Sequence, residues 1–398
     1  MTSHQPLRYV VVCDPGSLRW KAFERELQSF QAESGVTVEA TVISWFDLIE
    51  ADGDCLRLKE FRAHLYSADK PALVRIESPA RDFEIHRALL TAGSREANGF
   101  APEQWRDVEY EKGKLVEPGL MYVGLKRVLR RFAESSKNVE GLKLLSNPHD
   151  VLSMFDKNET SKRLLSAGIS TPEVFDFDWS LKPEALQNLH KALEFCDCPT
   201  AYFKLANGSS GSGIIKVDCR SESVVGLSTM VNLHGSYFNT RNLKTLTGQP
   251  LAEAIEFLHQ QGVTIQRGIK KATIDATEFD VRAVVINRQV EFTVFRKSDY
   301  PITNLHLGGY RGDWKRCRSA VPNRIWLDAM DDCVAAAELY DTDVVGIDLM
   351  FDQGFMNHYI IELNPMGDFF PDWKNEYSKS IHQVEIESNL KRWDHYGP

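Results

Sequence analysis

The sequence predicts an α/β protein: a parallel, helix-covered sheet first, then a mixed region that becomes antiparallel. Three observations carry this expectation. Over the first ~130 residues, short apolar runs alternate with segments of helical apolar spacing, as in strand–helix–strand units. From residue 278 the β signal dominates, with two long strand-like runs separated by two turn residues. The longest apolar runs, such as "YVVVC" and "ALVRI", are far too short to cross a bilayer.

Taken in order, "RYVVVCD" reads as a first buried strand, since no basic segment precedes a signal-type apolar stretch. "SLRWKAFERELQSFQAE" has helical spacing, "VTVEATVIS" and "PALVRIES" are strands, and "FEIHRALLTAG" is a helix ending on Gly93. The stretch 101–146 is mixed, with one helix at "YVGLKRVLRRFAESS" whose basic turn reads as a solvated face. "NPHDVLSMFDKNETSKRLLSAGISTPEVF" gives a short helix, a capped helix from Lys157, then Gly168 and Pro172 leading into a strand. Residues 181–270 alternate helix and strand, with "PLAEAIEFLHQQG" amphipathic and closed by Gly262. "EFDVRAVVINRQVEFTVFRKS" is a hairpin turning at Asn287-Arg288. The helix "IWLDAMDDCVAAAELY" precedes the strands "DVVGIDLMF" and "HYIIELN", and the last ~20 residues read as a helix with a frayed end.

With 398 residues, 43% hydrophobic and 26% charged, the chain is long enough for two or three cores. The net charge of −9 argues against nucleic acid as the main partner, although a local basic pocket still suits an anion. Seven scattered cysteines include a lone C-x-C at Cys196 and Cys198 with no second pair to complete a zinc site. They read as reduced thiols of a cytoplasmic protein. His149, His306 and His358 lack paired metal spacing and read as structural or exposed, with His306 the one to watch.

Two stretches carry chemistry. In "FKLANGSSGSGIIKV" six of the seven residues from Asn207 to Gly213 are Gly or Ser. The spacing fits neither a Walker loop nor a dinucleotide fingerprint. Glycines let consecutive backbone N–H groups converge on an anion, and Lys204 on the preceding strand can add an ammonium. By itself the run is either a phosphate cradle or a plain glycine-rich hairpin. In "VVGIDLMFDQGFMNHYIIELNP", Glu362 and Asn364 share a strand face, and Asp348 comes from the neighbouring strand. Such an oxygen-only set suits Mg²⁺ completed by substrate phosphates. A third, less regular group is "RIESPARD": Arg75, Glu77, Ser78, Arg81 and Asp82 crowd the end of a strand, as a substrate site or as an ion-paired helix cap.

At these residues the chain resembles the ATP-grasp superfamily, which includes D-alanine:D-alanine ligases and ribosomal-protein glutamate ligases. The resemblance covers roughly 145–370, with six motifs in the family's order. It implies an ATP-grasp fold behind a Rossmann-like pre-ATP-grasp domain. The division would be 1–130, then 145–375 with a lid at about 172–268 and a metal-binding sheet at about 278–370, then a tail at 376–398. Lys157, Lys204 and the backbone of Ser209, Ser210, Gly211 and Ser212 would then contact the phosphates. Gln266, Arg267 and Ile269 fall in "IQRGI", where the adenine hinge belongs, the contact coming mainly from the Arg267 and Ile269 backbone. Asp280 or Glu278 would bind ribose, and Arg282 would face the phosphates. Arg296 and Asn304 would line the reaction centre, and Asp348, Glu362 and Asn364 would hold the metal. Two departures stand out: Arg267 occupies a place near which the family's hinge carries a glutamate, and 233–250 matches none of the family's motifs and reads as a substrate-specific insertion.

The activity so implied is ATP-dependent carboxylate–amine ligation. A substrate acid is phosphorylated, the acyl phosphate is attacked by an amine, and ADP is released. Lys204, Arg282 and Asn304 would be the catalytic groups, with one or two Mg²⁺ ions, or Mn²⁺ in their place. The expected partners are small-molecule or peptide carboxylates and amines, with no nucleic acid, no membrane and a possible homodimer. A small-molecule kinase on the same scaffold and a nucleotide-binding regulator without turnover are the alternative readings.

Overall fold

The computed structural model describes residues 6–65, 71–79, 82–100, 102–177, 193, 197–219, 224–366 and 373–393. Strands β1 (Leu7–Cys13), β2 (Val38–Ser44), β3 (Ala72–Ile76) and β4 (Leu142–Leu144) form a parallel sheet in the order β2-β1-β3-β4. Its inner strands β1 and β3 read as near-continuous apolar runs because helices cover both faces. Val10 and Val12 of β1 pack with Leu89, Leu125 and Phe132 from helices Phe83–Asn98 and Pro118–Ser136. Tyr9, Val11 and Cys13 face the other way, onto Phe23 and Leu27 of helix Leu18–Ser34 and Ile386 and Trp393 of helix Ile381–Trp393.

The second sheet comprises β5 (Val174–Phe175), β6 (Thr200–Leu205), β7 (Ile214–Asp218), β8 (Val225–Leu233), β9 (Ser236–Thr247) and β10 (Val263–Arg267). Its order is β5-β10-β6-β7-β8-β9, antiparallel throughout. Leu251, Ala254, Ile255 and Leu258 of helix Gly248–Gln260 cover one face against Ala201, Phe203, Ile215 and Val217. In the third sheet β11 (Thr273–Ile274), β12 (Thr277–Ile286), β13 (Gln289–Ser298), β14 (Tyr310–Arg311), β15 (Val344–Phe351) and β16 (His358–Asn364) run β14-β13-β12-β15-β16, with β11 on β12. Helix Asn323–Glu338 buries Trp326, Ala329, Cys333 and Ala336 against it. The hairpin at Asn287-Arg288 is present, both residues having positive φ (46° and 65°), as a type I′ turn demands.

One expectation changes, and two segments left open gain a place. The helix from Phe83 does not stop at Gly93 but runs to Asn98 and is closed by Gly99. Gly93 serves a close approach instead: a Cβ there would lie 2.1 Å from the Leu120 carbonyl oxygen. The segment 233–250 is chiefly β9, the edge strand of the second sheet. The helix at the end of the chain belongs to the core of the N-terminal sheet. Within 181–196 only residue 193 is described, so the helix expected there, and Cys196, lie outside the described residues.

Candidate active site

The third sheet assembles a charged row by register alone. Alternation puts Asp280 and Arg282 of β12 on one face. Asp280 stands opposite Arg296, Arg282 opposite Asp348, and Asp348 opposite Glu362. Arg296 Nε donates to Asp280 Oδ1 at 2.6 Å, and Thr303 Oγ1 donates to the other oxygen. Arg282 grips Asp348 with Nε and, at 3.2 Å, with its Nη2, while Arg296 Nη2 lies 3.1 Å from Asp348 Oδ2. Burial works to raise the Asp348 carboxyl, and the two guanidiniums outweigh it and hold it at about 2. Asn364, at the end of β16, has a buried side-chain amide nitrogen without a hydrogen-bond partner among the described residues.

The second sheet supplies the opposite wall. Lys204 Nζ on β6 donates to Gln266 Oε1 on β10 at 2.6 Å. Desolvation pulls its ammonium down to about 8; Glu362 opposes that pull, and Lys157 adds to it. Lys157 opens the helix Lys157–Ser166, capped by Asp156, and its Nζ donates to the Gly208 carbonyl at 2.5 Å and lies 3.7 Å from Glu362 Oε2. The run from Asn207 to Gly213 joins the antiparallel β6 and β7. Ser210 and Gly211 adopt positive φ (56° and 74°), and a Cβ on Gly211 would lie 2.7 Å from Leu307 and 3.4 Å from the Asn304 amide. Asn239 of β9 braces this loop, donating to Ser212 Oγ at 2.8 Å and accepting from the Gly213 N–H at 3.3 Å.

Between the walls lies a cleft of about 490 Å³. It brings together Lys157, Lys204, Ser209, Ser210, Gly211, Ser212, Gln266, Arg267, Ile269, Asp280, Arg282, Arg296, Asn304, Asp348, Glu362 and Asn364. Glu278 is not in its lining. The Arg267 backbone N–H is engaged by the Glu173 carbonyl at 2.8 Å, and its guanidinium by the Glu173 carboxylate at 2.9 Å. The "RIESPARD" group divides. Arg75 is buried, bound to Glu77 at 2.6 Å and to Glu385 of the last helix, whereas Ser78 and Asp82 line the cleft. Asp82 also caps its helix by accepting the Glu84 N–H, and Arg81 lies outside the described residues. His149 is exposed and His358 pairs with Asp332 at 2.8 Å; the side chain of His306 lies outside the described residues.

Lys271 is a wall residue that the sequence does not mark. It is buried in the cleft wall, donating to Thr303 Oγ1 at 2.7 Å and the Pro301 carbonyl at 3.1 Å, and desolvation lowers its pKa. The one available signal is a doubled lysine just beyond the hinge strand, at Lys270-Lys271. The basic helix turn is neutralised: Arg127 and Arg131 pair with Asp52 at 2.7 Å, and Arg127 also with Glu96 at 2.5 Å. No helix of the described residues is long and apolar enough to cross a membrane.

The donor set fits a hard divalent cation. Among the described residues no group of three or more His, Cys, Asp or Glu is placed to hold a metal, so Asp348 and Glu362 need a third, neutral oxygen. Asn364, two residues beyond Glu362 on the same face of β16, carries an amide oxygen that would meet that need.

The profile of the YheC/D like ATP-grasp family matches residues 181–383, just over half of the 398-residue chain. The chain belongs to this ATP-grasp family. ATP-grasp structures also align along its length. The D-cycloserine synthetase DcsG is 12% identical with a TM-score of 0.55, the alignment covering 97% of this chain and 99% of that one. The ATP-grasp ligase PsnB complexed with minimal precursor is 16% identical with a TM-score of 0.51, covering 98% and 100%. The same ligase with minimal precursor, Mg and ADP gives 16% and 0.50, covering 97% and 98%. At these identities the likeness is one of fold, and it confirms the ATP-grasp architecture read from the sequence. No curated protein matches the chain significantly.

Proposed function

We propose that this ATP-grasp protein is an ATP-dependent carboxylate–amine ligase that forms ADP by way of an acyl phosphate. The observation that carries the reading is the convergence of Lys157, Lys204, the small-residue loop and the Asp348–Glu362–Asn364 set on one cleft. In-line phosphoryl transfer asks mainly for positioning and charge neutralisation. The two ammonium groups and the amide hydrogens of Ser209 to Ser212 bind the triphosphate. Asp348, Glu362 and Asn364 would hold Mg²⁺, which when bound supplies charge neutralisation at the phosphates. Arg282 and Arg296, held over Asp348, face the anionic acyl group, and Asn304 sits under the loop that excludes water. Ile269 and the Gln266–Arg267 strand end border adenine, and Asp280 the ribose. In this reading a lid of about 172–268 closes on the sheet of about 278–370 within a unit of 145–375, behind a unit of 1–130 and ahead of a tail at 376–398.

Hydroxylamine trapping tests it. With Mg²⁺, ATP and a panel of amino acids, short peptides and small acids, the protein should release ADP and yield an acyl hydroxamate from its own acid. Glu362→Gln should lose both by at least about 100-fold. A phosphorylated product stable to hydroxylamine would move the reading to a kinase. Tight nucleotide binding with no ADP release across the panel would move it to a regulatory binder.

A further inference from the structure

The cleft is also lined by residues of the N-terminal helices, none of which is among the nucleotide contacts proposed above. Helices Phe83–Asn98 and Pro118–Ser136 meet there, drawn together because Gly93 and Gly124 carry no Cβ to strike the Leu120 and Leu89 carbonyls. Asp82, His86 and Leu89 recur at steps of four and three residues, so they lie along one helix face. Met121 and Leu125 are one turn apart on the other helix, and all five line the cleft. Leu89 and Leu125 are buried, which makes this end an apolar floor.

Its rim accepts hydrogen bonds. His86 Nε2 lies 3.0 Å from the Val116 carbonyl, and a carbonyl only accepts, so neutral His86 carries its proton on Nε2 and leaves Nδ1 an acceptor. Burial lowers the imidazole pKa and favours that neutral form. Asp82 adds a carboxylate one helical turn away. Arg19, whose guanidinium donates to the Met366 carbonyl at 2.7 Å, lines the same cleft.

We propose that this limb binds the amine substrate, a free α-amino acid with an apolar side chain of about leucine size. Its ammonium group meets Asp82 and His86, its side chain packs on Leu89, Met121 and Leu125, and its carboxylate meets Arg19. A charged side chain would be stripped of water against Leu89 and Leu125 without a partner there. The proposal rests on the ligase reading, because it assigns one of that reaction's two substrates.

Titration calorimetry of the full chain with Mg²⁺ and ADP present tests it directly. Leucine and methionine should bind at least about tenfold tighter than glycine, glutamate or lysine. Leucinamide, which lacks the carboxylate, should bind more weakly than leucine. Met121→Trp fills the limb and should cost leucine about tenfold or more while leaving ADP affinity unchanged, which also shows the variant to be folded. Asp82→Asn keeps the helix cap and should cost about tenfold through the lost charge. ADP binding with no amino-acid binding, or with glutamate or lysine preferred to leucine, would overturn this proposal alone. Failure of ADP itself to bind would remove the ligase reading and this proposal with it.

Discussion

At the scale of single residues the site is a set of charges held in tension. Lys204 is the clearest case, its ammonium pulled down to about 8 from an ordinary 10.5. Between those values the unfolded chain binds more protons than the folded one, so stability of the ligand-free protein should rise with pH from about 8 to about 10.5. Below about 8 both states carry the charge and the full penalty persists. Lys204→Met should therefore stabilise the ligand-free protein at pH 7 by about 1–2 kcal/mol while weakening nucleotide binding. Denaturant unfolding and calorimetry check the two effects, and a destabilised variant would contradict the account. A triphosphate restores the charge, so nucleotide binding near pH 8 should take up protons, seen as a binding enthalpy that depends on the buffer's ionisation enthalpy. Residues of this kind were legible because strand alternation fixes which side chains share a face, as with Glu362 and Asn364. Lys271 was not, because its place in the wall comes from contacts with Pro301 and Thr303, thirty residues on, which no local spacing records.

At the scale of elements, the small-residue loop is a braced turn. Asn239 holds Ser212 and Gly213, while its own N–H donates to the Gly113 carbonyl at 2.7 Å. Asn239→Ala should raise the nucleotide Kd about threefold to tenfold with a small change in thermal stability. An unchanged Kd would leave the loop independent of β9. Gly93→Ala tests the helix crossing: the new methyl meets the Leu120 carbonyl, and unfolding should show a loss of about 2–4 kcal/mol. The sequence marked Gly93 as a helix end because glycine commonly closes helices. What keeps the helix running is tertiary packing against Pro118–Ser136, which outweighs a local cost of about 1 kcal/mol. Strands β12, β13, β15 and β16 were legible as elements because their apolar runs are long and bounded by turn residues. Strand β9 was not, because its exposed, polar edge has none of that pattern.

At the scale of the whole molecule, the chain closes on itself. Helix Ile381–Trp393 follows the third sheet in sequence yet packs on β1, and Glu385 completes a buried ion pair with Arg75, which also stacks 4.3 Å from the Phe23 ring. Glu385→Ala leaves that guanidinium with Glu77 alone and should cost about 3 kcal/mol, measured by denaturant unfolding. A cost near zero would mean that the helix is dispensable to the N-terminal sheet. The sequence could not announce this return, since a C-terminal amphipathic segment carries no mark of which core it joins. The order of motifs did announce the cleft. Its central claim is that one triphosphate lies between Lys204 and Glu362, and a crystal structure of the protein with Mg²⁺ and a non-hydrolysable ATP analogue tests that most directly. The account predicts phosphates against Lys157, Lys204 and the amides of Ser209 to Ser212, with a metal ion at Asp348, Glu362 and Asn364. An analogue bound elsewhere, or an empty cleft at saturating nucleotide, would contradict it.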